Sequence, residues 1–408
     1  MNTNRDEKKR LIGIIGITAL VCFTISALFY VLTLFIGGYY SITFDKDNVS
    51  RVSVKKFNDV RNIIEGSYYE DVDTSKLIEG AITGMADSLN DPYTVYYTKQ
   101  QMEWFEDRQK PEDEYVGIGL QIMLDKNGII TGLEPFDNSP AKEAGIRQGD
   151  KILKVDGKDI TGLKDESLVA SMIKGQENTS VVLTIYRESE DKTFDLAVTR
   201  RKINAILNIR SEMLDNDVAY IKLKLFDTDI SKNFISQLDS LLKQGAKYLI
   251  IDVRDNPGGS YTEVVDLADR ILPEGLIVYT EDKQKKKVEQ ISDSTQLDIP
   301  IVVLTNGNSA SASEILAGAL KDHKKATLVG TTTFGKGLVQ TIHKFDDGSA
   351  IKVTIARYFT PNGICIQGEG IKPDVEVKID EKYSDTPISA LPFKDDAQLQ
   401  KALEILKK

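Results

Sequence analysis

The apolar and polar positions of this chain change period several times, and each change marks a different kind of element. Residues Leu11 to Ile36 (LIGIIGITALVCFTISALFYVLTLFI) carry no charge over 26 positions, whereas roughly 20 apolar residues already span the hydrocarbon core of a bilayer. The stretch predicts a single transmembrane helix. Arg5, Lys8, Lys9 and Arg10 precede it, and cations on that flank hold the N-terminus in the cytoplasm and send the rest of the chain across. A cleaved signal peptide is the rival reading, but its apolar region usually runs about 7 to 15 residues before a small-x-small exit, and neither feature fits. From Asp45 to about Asp107, apolar residues such as Val60, Ile63, Ile64, Leu77, Ile78, Ala81, Ile82, Met85 and Leu89 recur at three-and-four spacing. That period predicts helices. Asp91-Pro92 stops it, and the aromatic cluster Tyr93, Tyr96, Tyr97, Trp104 and Phe105 comes next, either as a small core or as a contact surface.

Between Glu112 and Arg187 the pattern turns to short alternating runs separated by glycines: YVGIGLQIM, GIITGLEPF, SPAKEAG, GDKILKVDGKDI, ESLVASMIKG and SVVLTIYRE. This region resembles a PDZ domain. Val116, Gly117, Ile118, Gly119 and Leu120 stand where that family has its carboxylate-binding loop and peptide-pairing strand, and Gly149, Asp150, Ile152 and Leu153 match its G-D-x-I-L turn. The physics suits the match, because glycines let successive N–H groups converge on a carboxylate while an edge strand pairs with an extended peptide. The resemblance implies capture of a substrate C-terminus. Inserted between the helices and the residues beyond Arg187, the module is placed to gate access to a site downstream.

After two connecting runs, TFDLAVTRRK and INAILNIRSEM, strands and helices alternate from Asn204 to Asp380. Such alternation predicts an α/β sheet whose strand ends carry functional loops. The expected organisation is a cytoplasmic N-terminus (1–10), a transmembrane anchor (11–36), a helical region (37–111), a PDZ domain (112–187), an α/β core (188–380) and a charged C-terminal tail (381–408).

Charge and rare residues narrow the function. A net charge of −10 offers no basic face for nucleic acid. Two cysteines, one inside the apolar run, exclude a disulfide framework, and two histidines, His323 and His343, leave almost no room for a multi-histidine metal site.

Three short motifs then hold the candidate chemistry. IVVLTNGNSASASEILAGALKDH reads as a buried strand, a polar turn and an alanine-rich helix, with Ser311 and Glu314 spaced as a capping box. A serine there lies near unpaired amides and the positive end of the helix dipole, which can stabilise an oxyanion. Alone it reads as a helix cap. NPGG (Asn256 to Gly259) follows a buried strand, and its glycines let a carbonyl approach. FGKG (Phe334 to Gly337) places Lys336 before an apolar strand, where loss of water would favour the neutral amine that can deprotonate a serine. Alone, Lys336 reads as a loop lysine.

Together these motifs resemble the C-terminal processing peptidases, the tail-specific serine proteases. The likeness runs from Lys76 to Asp380 through LIEGAITGMADSLNDPYTVYY, the PDZ segment, NPGG, NSASASEILAGAL, TFGKGLVQ, YFTPNG and GIKPDVEV. It implies Ser311 as nucleophile, Lys336 as general base 25 residues on, and Gln340 orienting the lysine. The oxyanion hole would use the Ala312 amide with that of Gly258 or Gly259, while Ser309 and Ser313 fall on non-catalytic positions, as caps or solvated residues. On a straight strand Gln340 would stand ~13 Å along from Lys336, so the chain must bend near Gly337. The implied protein is a membrane-anchored, extracytoplasmic serine endopeptidase acting on substrates with accessible C-termini, a homodimer without metal or cofactor. A histidine-assisted hydrolase and a catalytically inactive membrane-tethered PDZ adaptor are the competing readings.

Overall fold

A computed structural model describes residues 20–32 except 22 and 31, and residues 49–107, 115–125, 127–203, 208–383 and 386–408. Most of the predicted transmembrane helix lies outside these residues. The part within them is helical and leaves Leu20, Phe23, Ile25, Leu28, Phe29 and Leu32 exposed. Among the described residues no helix is long and apolar enough to cross a membrane. The chain divides into two compact units, residues 1–78 and 79–408. The first contains the amphipathic helix Val49–Ser67, and the boundary falls within the helix Thr74–Asp87.

The larger unit is built on a six-stranded sheet. Ile209–Leu214 runs antiparallel to Val218–Leu223, and Tyr248–Asp252, Ile301–Thr305, Ala326–Gly330 and Val375–Glu376 follow in parallel. The strand Val218–Leu223 is buried at every position, as expected where both faces of a parallel sheet are covered. Its residues alternate between two cores. Ala219, Ile221 and Leu223 face the helices Ile230–Lys243, Tyr261–Asp269 and Ala312–Asp322. Val218 and Tyr220 face the C-terminal helix Ala397–Leu406.

That C-terminal helix is tied down by charge as well as by apolar packing. Arg254 is fully buried and donates to both oxygens of Asp252 and of Asp396, with Gln398 accepting a further bond. Burial alone would raise the Asp252 carboxyl, yet Arg254, Lys222 and the Tyr220 hydroxyl hold it well below the usual carboxylate range.

A second, antiparallel sheet joins Val95–Tyr97, Gly275–Asp282, Lys287–Ser292, Leu338–Lys344 and Ala350–Phe359. Leu338–Lys344 and Ala350–Phe359 form an antiparallel hairpin, with a register shift between Val339 and Gln340. The PDZ-like sheet continues past Arg187, because a tight turn at Glu188–Glu190 folds Lys192–Thr199 back along Ser180–Arg187 over eight paired positions. This sheet meets the core through Gln121, whose side chain donates to the Lys224 carbonyl at 2.9 Å. Asp165, which caps the helix Glu166–Ile173, also accepts from Tyr97 at 2.7 Å and pairs with Lys352.

Candidate active site

The chemistry-bearing motifs leave the sheet at one end. Val218–Leu223 runs into Leu225 and Phe226, Tyr248–Asp252 into NPGG, Ile301–Thr305 into Ser311 and Ala326–Gly330 into Lys336. Four adjacent parallel strands thus deliver to one place segments that are far apart in sequence, the crevice where open α/β sheets bind ligands. There a cavity of about 650 Å³ is lined by Gly258, Gly259, Ser311, Lys336 and Gln340, with Leu225, Tyr261, Val288, Leu338, Val339 and Tyr358 as apolar walls. Ile122, Glu166 and Ser167 of the PDZ-like module also line it.

Ser311 caps the helix Ala312–Asp322 with φ 55° and ψ −113°, a backbone state that costs an L residue roughly 1–3 kcal/mol and survives only where its surroundings fix it. Glu314 supplies much of that constraint. Its carboxylate is fully buried and accepts from the Ser311 amide at 2.9 Å. It also accepts from the Thr333 hydroxyl at 2.5 Å, the Gly335 amide at 2.7 Å and the Lys336 amide at 2.8 Å. Burial raises its carboxyl above the usual range, and these four donors work against that rise. The capping residue expected from sequence is therefore also the bracket between the serine turn and the lysine loop.

The glycines have separate duties. The Gly258 amide donates to Asn256 Oδ1 at 2.9 Å, whereas among the described residues the amides of Gly259 and Ala312 donate no hydrogen bond. A Cβ on Gly258 would stand 2.7 Å from that of Ser311, so only glycine lets the two turns approach. On the lysine loop, a Cβ at Gly337 would meet the Gln367 amide at 2.4 Å.

Lys336 is held by a partner that the sequence did not reveal. Its Nζ lies 2.6 Å from Glu166 Oε1 at the start of the PDZ-like helix and 4.7 Å from the centre of the Tyr93 ring. Among the described residues no hydrogen bond joins Lys336 to Ser311. Burial, followed by the charge of Glu166, pushes the Tyr93 hydroxyl well above its usual range. Gln340 lines the same cavity just past the register shift and donates to Thr354 at 3.4 Å. The histidines lie elsewhere: His323 caps the far end of the serine helix and bonds the Leu276 carbonyl, and His343 is exposed on its strand.

On the PDZ-like module, Val116 and Gly117 pair with Arg201–Ile203, and Ile118 and Leu120 are buried in its core. Gly119 has φ 68°. Among the described residues the amides of Ile118, Gly119 and Leu120 donate no hydrogen bond, as a carboxylate-binding loop requires.

Comparison with known proteins agrees with this arrangement. Peptidase family S41 is matched by residues 217–377, the N-terminal domain of the activating protease CtpB by 41–101, and a PDZ domain by 116–198. The carboxy-terminal processing protease CtpA of Bacillus subtilis (strain 168) is 37% identical over 381 residues, which cover 93% of this chain and 79% of that relative. The chain belongs to the C-terminal processing serine proteases of peptidase family S41. A "Probable CtpA-like serine protease" of Staphylococcus aureus (strain N315) is 38% identical over 81% of this chain, and the match spans 66% of that relative's length. Among solved structures, a photosystem II D1 C-terminal processing protease aligns with a TM-score of 0.64 at 29% identity, over 79% of this chain and 92% of that one. The α/β core, the PDZ domain and the N-terminal helical segment expected from sequence are those of this family.

Proposed function

We propose that this peptidase is membrane-anchored through its N-terminal apolar segment and cleaves extracytoplasmic polypeptides with Ser311 as nucleophile and Lys336 as general base. The observation that carries the proposal is the cavity, which brings Ser311, Lys336 and Gln340 together beside the amides of Gly259 and Ala312, which donate no hydrogen bond among the described residues. Lys336 takes the Oγ proton as Oγ attacks the scissile carbonyl, and the two amides stabilise the oxyanion. The lysine returns the proton to the leaving amine, and water then releases the acyl group. Gln340 steadies the amine. The apolar walls favour apolar side chains beside the scissile bond.

In the conformation described, Glu166 occupies Lys336. The amine is turned to that carboxylate and, among the described residues, makes no hydrogen bond to Ser311. The PDZ helix that carries Glu166 would also form one wall of the groove for a substrate C-terminus, with Ile122–Leu124 opposite. Entry of a peptide there would draw Glu166 from the lysine, so we read the pair as a resting state that substrate releases. Homodimerisation belongs to the same proposal and is tested by sedimentation of residues 45–408.

The deciding experiment is cleavage of an unfolded protein by that soluble part. Ser311→Ala and Lys336→Ala should each abolish turnover, while replacing both histidines with glutamine should preserve it. Loss in the histidine variant would exclude the Ser-Lys assignment, and absence of turnover by folded parent protein would favour an inactive PDZ adaptor.

A further inference from the structure

Ser311 is the middle one of three serines at alternate positions, and the outer two, Ser309 and Ser313, are fully buried. The structure corrects their reading as caps or solvated residues, because both hydroxyls are spent on the segment that carries NPGG. Ser309 Oγ donates to the Val253 carbonyl at 2.7 Å, and Ser313 Oγ to the Asn256 carbonyl at 3.0 Å. The Asn256 carbonyl also accepts from the Ala310 amide at 3.0 Å. One carbonyl is thus gripped from both sides of the Ser311-Ala312 pair.

This grip bears directly on the strained nucleophile. A residue at φ 55° and ψ −113° relaxes unless several contacts fix it together. The Glu314 carboxylate holds the Ser311 amide, and the Glu314 and Ile315 amides donate to the Ser311 carbonyl, but these bonds run to the helix, so the height of Ser311 above the NPGG turn is set by the flanking residues. Asn256 is fully buried in the turn that follows the strand Tyr248–Asp252, and its side chain accepts from the Gly258 amide, while among the described residues the next amide, that of Gly259, donates no hydrogen bond.

We propose that Ser309 and Ser313 are positioning residues that set the separation between the Ser311 oxygen and the Gly259 and Ala312 amides. The inference rests on the reading of Ser311 as nucleophile. Removing either hydroxyl loosens the serine turn against the NPGG turn, which the Ala310 amide and the other serine still join, and acylation slows because the oxyanion forms away from its donors.

Ser313→Ala is the cleaner variant, since Asn256 keeps the Ala310 amide. Ser309→Ala also leaves the Asn306 amide, which donates to Ser309 Oγ, without its acceptor. The measurement uses residues 45–408 and an activated peptide ester, whose burst amplitude counts competent sites and whose burst rate gives acylation per site. Ser313→Ala is expected to keep the parent's amplitude, KM and melting temperature while its acylation rate falls about tenfold. A parental rate per site would overturn the proposal, as would a loss carried by amplitude or KM alone. Ser311→Ala separates the two levels. If it still gives a burst, the nucleophile reading falls and this proposal with it; if it is silent while Ser313→Ala acylates at the parental rate, only the positioning role falls.

Discussion

Glu166 and Glu314 show how much the partners of a carboxylate decide. Glu314 accepts from four donors and binds the serine and lysine loops together, whereas Glu166 makes one ion pair, with side-chain exposures of 19% for Lys336 and 27% for the glutamate. Glu166→Gln removes the charge and keeps the shape. It should raise basal turnover several-fold and reduce the stimulation given by a substrate C-terminus, as measured by cleavage with and without a competing tail peptide; an unchanged basal rate would exclude the resting-state reading. Asp227 behaves differently. It lies next to Phe226, which bonds the Gly258 carbonyl, and burial raises its carboxyl from 3.8 to about 6 against the Asn208 hydrogen bond, with Glu263 and Asp229 adding to the rise. A raised carboxyl contributes stability that is full below its unfolded value and is lost as pH rises through about 6. Asp227→Asn should therefore melt higher than the parent at pH 7, with the difference closing below about pH 4. The motifs made Ser311 and the NPGG turn legible because each follows an apolar strand, and Lys336 because it stands between glycines before one. Glu166 was hidden, because an acidic residue opening a helix reads as ordinary dipole compensation until another module is docked on it.

The parallel strands were readable for a related reason. Runs such as KYLIIDV and IPIVVLT are apolar at consecutive positions, as burial on both faces demands. The strand Lys192–Thr199 was harder to place, since most of its side chains are exposed or half-buried, and that pattern does not say which sheet it joins. In sequence residues 381–408 read only as a charged tail, yet Arg254 ties their helix to the strand that leads into NPGG. Arg254→Met would leave Asp252 and Asp396 buried without their cation and should destabilise the larger unit by about 3–5 kcal/mol. Urea unfolding measures this; a loss below about 1 kcal/mol would mean that the apolar face of the helix suffices.

Across the chain, the PDZ domain contributes lining residues to the cavity that holds Ser311 and Lys336 and docks through two consecutive acids, Asp165 and Glu166. Asp165 is fully buried and also bonds Tyr97, while Glu166 is partly open to solvent. The geometry favours a swing about Asp165 over full detachment. Deleting residues 112–199 should change both basal rate and preference for substrate tails, and an unchanged profile would exclude a gate. Membrane attachment is checked by fractionation, with the chain expected in the membrane pellet and residues 45–408 in the supernatant.

The one-ended arrangement of the chemistry leaves the opposite rim of the sheet without a role in turnover. The turn at Lys243–Gly245 lies there, between a helix and the start of a central strand, and is exposed to solvent. Exposed turns of this kind accept insertions. A fluorophore or affinity handle placed at Gln244, which is exposed with φ −81° whereas Gly245 has φ 102°, should leave the rate per site unaltered, which would provide a fixed reference point for following PDZ movement in the working enzyme.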